Sequence, residues 1–265
     1  NHASLIDGCR LARARTVVVP HADLDAIEAA LERVTTNRAL VLAEGVYSMG
    51  GDVTPVGELV EIAHRHGALV VVDDAHGIGT VGPTGRGATE ELPASQRPDV
   101  LLGTASKALG VEGGFACVDE TLATLMRNCA RGYVFSSAPS PVVAAGVAAA
   151  VEYLRTDTRR VCSLQANVAQ ARLLLAEADL IPPSAAHDRG PIIRIPVGPE
   201  SRAVAAQEEL ARRGLMVGAI RYPAVARGDA ILRICLTARH TDEHIRILVT
   251  SLREVLDGAL SDAPR

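Results

Sequence analysis

The chain has 265 residues, 48% hydrophobic and 22% charged, with a formal net charge of −4. That balance suits a folded chain with a sizeable core. It lacks the basic surface that a phosphate backbone requires, and two Phe, four Tyr and no Trp offer no stacking platform for single-stranded nucleic acid.

The five cysteines, Cys9, Cys117, Cys129, Cys162 and Cys235, form no C-x-x-C pair. This spacing excludes the usual zinc frameworks and fits a cytoplasmic, reducing setting. Apolar runs such as Ala68 to Val72 are too short to span a membrane. No signal peptide is read at the start. The chain opens at Asn1-His2-Ala3-Ser4 without an initiator Met, so a missing N-terminal segment is expected.

In chain order, Thr16 to Val19 reads as a strand and Leu24 to Val34 as an amphipathic helix. Ala39 to Ala43 is a strand, Pro55 to His66 a helix stopped by Gly67, and Ala68 to Val72 a buried strand. Val100 to Thr104 and Gly114 to Val118 follow as strands. This alternation predicts a mainly parallel sheet flanked by helices, with both sheet faces buried. Past Pro141 the texture changes: helices Val142 to Leu154 and Ser163 to Ala178, strand Ile192 to Ile195, helix Ala203 to Arg213, strands Leu215 to Ile220 and Ile231 to Leu236, and helix Asp242 to Leu256. The expected organisation is a large α/β domain over 1–155 and a smaller α+β domain over 156–265.

Ligands of open α/β sheets bind beyond the carboxyl ends of the strands. Three successive strand ends carry chemistry here: Glu44, then Asp73, Asp74 and His76, then Thr104, Ser106 and Lys107. A carboxylate at a buried strand end calls for a cationic partner, although Asp73 also suits a turn cap. Hydroxyls beside a lysine can hold a phosphate while the amine forms an imine. Arg233, in an apolar strand, demands an anion, which a structural Asp or Glu could equally supply. His64 and His66 read as helix C-terminal charges, not metal ligands.

Six ordered blocks carry a resemblance: Asn1 to Gly8, Glu44 to Met49, Val72 to Gly77, Gly85 to Gly87, Thr104 to Gly110 and Leu232 to Ala238. On them the chain resembles the α-oxoamine synthases, pyridoxal-5′-phosphate (PLP) enzymes of the aspartate-aminotransferase fold. The resemblance implies a PLP-transferase large domain followed by a small C-terminal domain. It also implies condensation of an amino acid with an acyl-CoA or acyl-carrier thioester, with loss of the carboxylate as carbon dioxide. Lys107 would carry PLP as an imine and later move the Cα proton. Asp73 would hold the pyridine nitrogen, His76 the ring 3-oxygen, and His2 would stack on the ring face. Ser48 would lie near the ring's oxygen edge, Thr104 would bind the phosphate, and Arg233 would take the substrate carboxylate through a bidentate fork.

Two departures from the family pattern stand out. Met49 is followed by Gly50-Gly51-Asp52 where an Asp is usual, which reads as a turn variation, and the glycine-rich stretch that helps hold the phosphate is absent. The Tyr133 to Pro139 segment, with Ser136 and Ser137, is expected to serve a partner's phosphate in a homodimer. Ala219 to Pro223 and Thr104 to Lys107 look most like the branch that joins alanine to a pimeloyl thioester on the way to biotin. Glu44 to Met49 also fits a serine-using branch, and Ile6 to Gly8 a glycine-using one. A tailoring enzyme, an aminotransferase of the same fold and a non-catalytic fragment are the alternatives.

Overall fold

A computed structural model describes residues 1–36 and 38–261. The described chain forms two compact units, Asn1–Tyr47 with Val53–Thr158, and Ser48–Asp52 with Arg159–Arg265.

The first unit opens with α1 (Ala3–Leu11), α2 (Leu24–Leu31), β1 (Leu40–Glu44), α3 (Val56–Arg65) and β2 (Leu69–Asp73). It continues through β3 (Val100–Thr104), β4 (Gly114–Val118), α4 (Glu120–Cys129), α5 (Arg131–Val134) and α6 (Pro141–Thr156). Its sheet runs β1-β2-β3-β4. The first three strands are parallel, and β4 returns antiparallel on β3.

Local chemistry sets the helix starts. Asp23 Oδ1 accepts from Ala26 N at 2.8 Å and Asp119 Oδ1 from Leu122 N at 2.7 Å. Ser140 Oγ caps α6 through Val143 N, with Pro141 at the first helical position. The apolar stripe of α3, Val56, Leu59, Val60 and Ala63, is buried with Val41, Ala43, Val70 and Val72 from β1 and β2.

Three expectations change. Thr16 to Val19 is not a strand; no strand of the described residues pairs with it, and Val18 is 89% exposed. A β-branched run without a partner ladder has nothing to satisfy its backbone groups. The sheet is also not buried on both faces throughout: Val70 and Val72 are buried, Val71 is half-buried and Leu69 is exposed. Finally, α1 occupies a stretch read only as a motif; His2 caps it, its Nδ1 accepting from Ser4 N.

The second unit holds α7 (Arg159–Glu177), β5 (Ile192–Gly198), α8 (Glu200–Arg212), β6 (Gly218–Ile220), β7 (Ala230–Cys235) and α9 (Asp242–Ser261). Its antiparallel sheet has the order β5-β7-β6, and β6 is shorter than the Leu215 to Ile220 strand expected. Leu164, Val168, Leu175, Ile193, Ile195, Leu210, Leu232, Ile245 and Leu252 share one core. Within it Arg172 is 2% exposed, donating to the carbonyls of Ala185, Gly190 and Ile192. Three carbonyl acceptors and Asp188 at 3.4 Å offset the cost of burying its charge.

Candidate active site

The parallel register puts Glu44 opposite Asp73, and Asp73 opposite Leu102. Thr104 therefore projects two residues past Asp73 at the same sheet edge. The structure thus brings together, in the first unit, the strand ends that carry Asp73, His76, Thr104 and Lys107.

Asp73 is half-buried, and its Oδ1 accepts from Ala75 N at 3.1 Å. The turn-capping role is therefore realised, but it uses one oxygen. Among the described residues no cationic side chain pairs with this carboxylate. The turn that follows holds His76, whose carbonyl accepts from Thr80 Oγ1 at 2.5 Å.

Beyond β3 the chain folds into a closed loop. Ala105 N donates to Gly113 O at 2.8 Å, Val111 N to Ala105 O at 2.8 Å and Gly110 N to Lys107 O at 3.0 Å. Ala105 and Leu109 are its buried anchors, while Ser106, Lys107 and Ala108 are exposed. Thr104 Oγ1 lies 2.6 Å from Ser106 Oγ and 3.1 Å from Gly113 O. Two hydroxyls thus stand side by side next to the lysine. Gly110 and Gly113 both have positive φ, with open space where a Cβ would point.

Two glycines let the His76 turn lie on the lysine loop. A Cβ on Gly79 would fall within 3.0 Å of Ala108 Cβ, and one on Gly103 would collide with Ile78 and the Phe115 ring. The backbone between Asp74 and Thr80 is therefore seated against the residue next to Lys107.

Lys107 is also the only lysine in the sequence; all other basic side chains of its Lys+Arg total of 27 are arginines. Sequence reasoning missed this, although a residue count alone reveals it.

The remaining expected residues lie elsewhere. His2 is exposed, its Nδ1 2.8 Å from Ser4 Oγ, and Asn1 Nδ2 reaches Leu42 O on β1 at 2.9 Å. Ser137 is exposed in the link between α5 and α6, and its neighbour Ser136 bonds the Gly132 carbonyl. Ser48 and Arg233 belong to the second unit, where Arg233 Nε donates to Ser48 O at 2.6 Å and Nη1 to Cys235 Sγ at 2.8 Å. Gly51 explains the Gly50-Gly51-Asp52 variation: it has positive φ and lies so close to Ile192 O that no Cβ fits. Among the described residues no carboxylate meets Arg233, so the structural ion pair allowed for on sequence grounds is not formed. His64 and His66 do pair with acids, Asp99 at 3.1 Å and Glu28 at 3.4 Å.

The family model described as aminotransferase class I and II matches residues 1–252. The chain is 97% identical over 265 residues to the biotin biosynthesis bifunctional protein BioWF of Cutibacterium acnes (strain DSM 16379 / KPA171202), covering 100% of this chain and 41% of that protein. It is 39% identical to an 8-amino-7-oxononanoate synthase of Anaeromyxobacter dehalogenans (strain 2CP-C), covering 100% of this chain and 66% of that protein. The serine palmitoyltransferase of S. paucimobilis, solved as a variant with bound PLP–myriocin aldimine, superposes with a TM-score of 0.91 at 29% identity. That match covers 98% of this chain and 66% of the solved one. The chain thus spans about two fifths of the bifunctional relative and about two thirds of the other two.

Proposed function

Because the chain belongs to the aminotransferase class I and II family, we propose that it forms the 8-amino-7-oxononanoate synthase part of a biotin-synthesis enzyme. In this reading it is a PLP-dependent acyltransferase that joins alanine to a pimeloyl thioester with loss of carbon dioxide. Its similarity to BioWF and to the Anaeromyxobacter synthase supports the reaction. Its likeness to the solved α-oxoamine synthase supports the cofactor. The single observation that carries the reading is that the chain's only lysine stands on the β3-end loop, beside two paired hydroxyls and packed next to the Asp73–His76 turn.

The residues present fit PLP. Asp73 is a half-buried carboxylate whose Oδ1 caps its own turn and which, among the described residues, pairs with no cationic side chain, a match for a protonated ring nitrogen. Thr104 and Ser106 offer hydroxyls to a phosphate, and glycines leave the backbone open around Lys107. Bound PLP supplies an electron sink for a bond broken at the substrate Cα.

The protein's own groups bind, orient and move protons. The Lys107 amine would hold the cofactor covalently and would move the proton at the substrate Cα. Asp73 would keep the ring nitrogen protonated through its charge. On the resemblance, His76 would donate to the ring 3-oxygen, His2 would cover a ring face, and Ser48 would serve the ring's oxygen edge. Thr104 would bind the phosphate, joined in a homodimer by Ser137 of the second copy. Arg233, with no carboxylate of its own among the described residues, would take the carboxylate of the amino acid. The homodimer is supported by the exposed apolar side chains after α5 and on α6, with Phe135 at 73% and Val142 at 81% exposure. The cytoplasmic assignment rests on five cysteines that are all unpaired.

Borohydride reduction after PLP addition tests the reading. A stable adduct on the Lys107 peptide is expected, with none in Lys107→Ala. Adduct on the N-terminal amine alone, or none in the native chain, would overturn it.

A further inference from the structure

Asp74, next to the residue proposed to meet the ring nitrogen, has no role in the scheme above. Neither does the Gly85-Arg86-Gly87 block. The structure joins the two. Asp74 is completely buried, at 0% exposure. Its backbone N–H donates to Leu102 O at 2.9 Å, and its Oδ2 accepts from Ala88 N at 2.8 Å. Its Oδ1 has no hydrogen-bond partner among the described residues.

Three glycines from separate chain segments close around this carboxyl. A Cβ on Gly45 or on Gly77 would fall within 3.0 Å of Oδ1, and one on Gly87 within 3.0 Å of Oδ2. Gly45 follows β1 and donates to Asp73 O at 2.8 Å. Gly77 follows His76 directly. Gly87, at positive φ, precedes the Ala88 that donates to Asp74. One side chain therefore ties the end of β1, the Asp73–His76 turn and the Gly85–Ala88 segment into a single block.

The groups facing it decide its charge. The segments packed around it contribute Gly45, Gly77, Gly87 and Ala88, none of which is charged. Among the described residues the charged neighbour that acts on it is Asp73, the residue before it. A second carboxylate, buried beside the first with no cation, is disfavoured on both counts.

We infer that Asp74 is a positioning residue that works as a neutral carboxylic acid, clamping the turn that carries Asp73 and His76 and leaving Asp73 the one negative charge at this strand end. Burial pushes its carboxyl up to about 7; the Ala88 N–H pulls the other way, the Asp73 charge adds to the rise, and the Gly77 N–H opposes it. The clamp is thus fully neutral only below neutrality.

The inference rests on the proposed PLP site only for its effect on the cofactor, so the test has two readouts. The first uses the cofactor-free chain: infrared spectra near pH 6 should show a protonated-carboxyl C=O stretch that Asp74→Asn lacks. The second is PLP affinity against pH. With the neutral form as the working one, native affinity relative to Asp74→Asn should fall about tenfold between roughly pH 6 and pH 8. The Asn variant, a permanent neutral mimic, should bind PLP within about threefold of the native chain near pH 6. No acid stretch, superimposable pH profiles, or an Asn variant that folds but loses PLP would each overturn the inference. A chain that takes up no PLP at all defeats the proposed function instead, and the infrared result still decides the protonation of Asp74.

Discussion

Gly79 and Ala108 lie so close that a Cβ on the glycine would fall within 3.0 Å of the Ala108 Cβ. The first residue belongs to the turn after His76, and the second follows Lys107. Their approach sets the spacing of an acid–histidine turn and a lysine loop by direct van der Waals contact.

Gly79→Ala therefore tests the seating directly. It adds a methyl where none fits and forces a side chain onto a positive-φ backbone. The expected cost is about 2–4 kcal/mol in denaturant unfolding, together with weaker PLP uptake. Gly67→Ala is the control: Gly67 also has positive φ, but nothing lies within 4 Å of its Cβ position. That substitution should lower stability less and leave PLP uptake unchanged.

Arg233→Lys separates charge from geometry. The planar fork would bind a carboxylate through two parallel hydrogen bonds, and an ammonium has no such fork. Loss of one charge-assisted bond, about 1.5–3 kcal/mol, corresponds to a roughly 10- to 100-fold weaker amino-acid affinity. PLP binding and cooperative unfolding should be preserved. Titration of the PLP-loaded protein with alanine, followed by its visible absorbance, measures this; an unchanged midpoint would remove Arg233 from the substrate site.

Stability should depend on pH through Asp74, with a definite sign. Its folded-state value is raised from an ordinary 3.8 to about 7. Below the ordinary value both states hold the proton and Asp74 contributes no slope. Between there and about 7 the unfolded chain has released its proton and the folded chain retains it, so stability falls as pH rises. Above about 7 the penalty levels off, at most roughly 4 kcal/mol. Urea unfolding of the native chain and Asp74→Asn across this range should give a stability difference that grows in favour of Asn and then flattens. A constant difference would contradict the raised value.

How much of this was legible beforehand depends on the range of the interaction. Leu69–Asp73 declares itself as an apolar run ending in an acid, and Thr104, Ser106 and Lys107 lie within one turn. Asp73 and Lys107 could be named for the same reason: a residue type at a strand end carries its own chemistry. The contacts of Arg172 were not legible, because three of its acceptors are backbone carbonyls 13 to 20 residues away. Ser48 and Arg233 meet across 185 positions through a main-chain oxygen, which no side-chain pattern encodes. The cage around Asp74 is written in glycines, whose message is the absence of an atom. Thr16 to Val19 misled because β-propensity reports a surface that could pair, not one that does.

The scarcity of lysine bears on how the chain can be handled chemically. Among the described residues, guanidinium groups make surface ion pairs such as Arg10–Asp7, Arg65–Glu28, Arg127–Glu120 and Arg155–Glu152. Arginine cannot shed its proton near neutral pH, so it cannot act as a nucleophilic amine. Acylating reagents, reductive methylation and aldehyde crosslinkers therefore meet one side-chain amine in the whole chain, and it stands exposed at the proposed cofactor site. Modification mapped to the Lys107 peptide then becomes a titrant of that site, and resistance of Lys107 to modification after PLP is added would report occupancy directly.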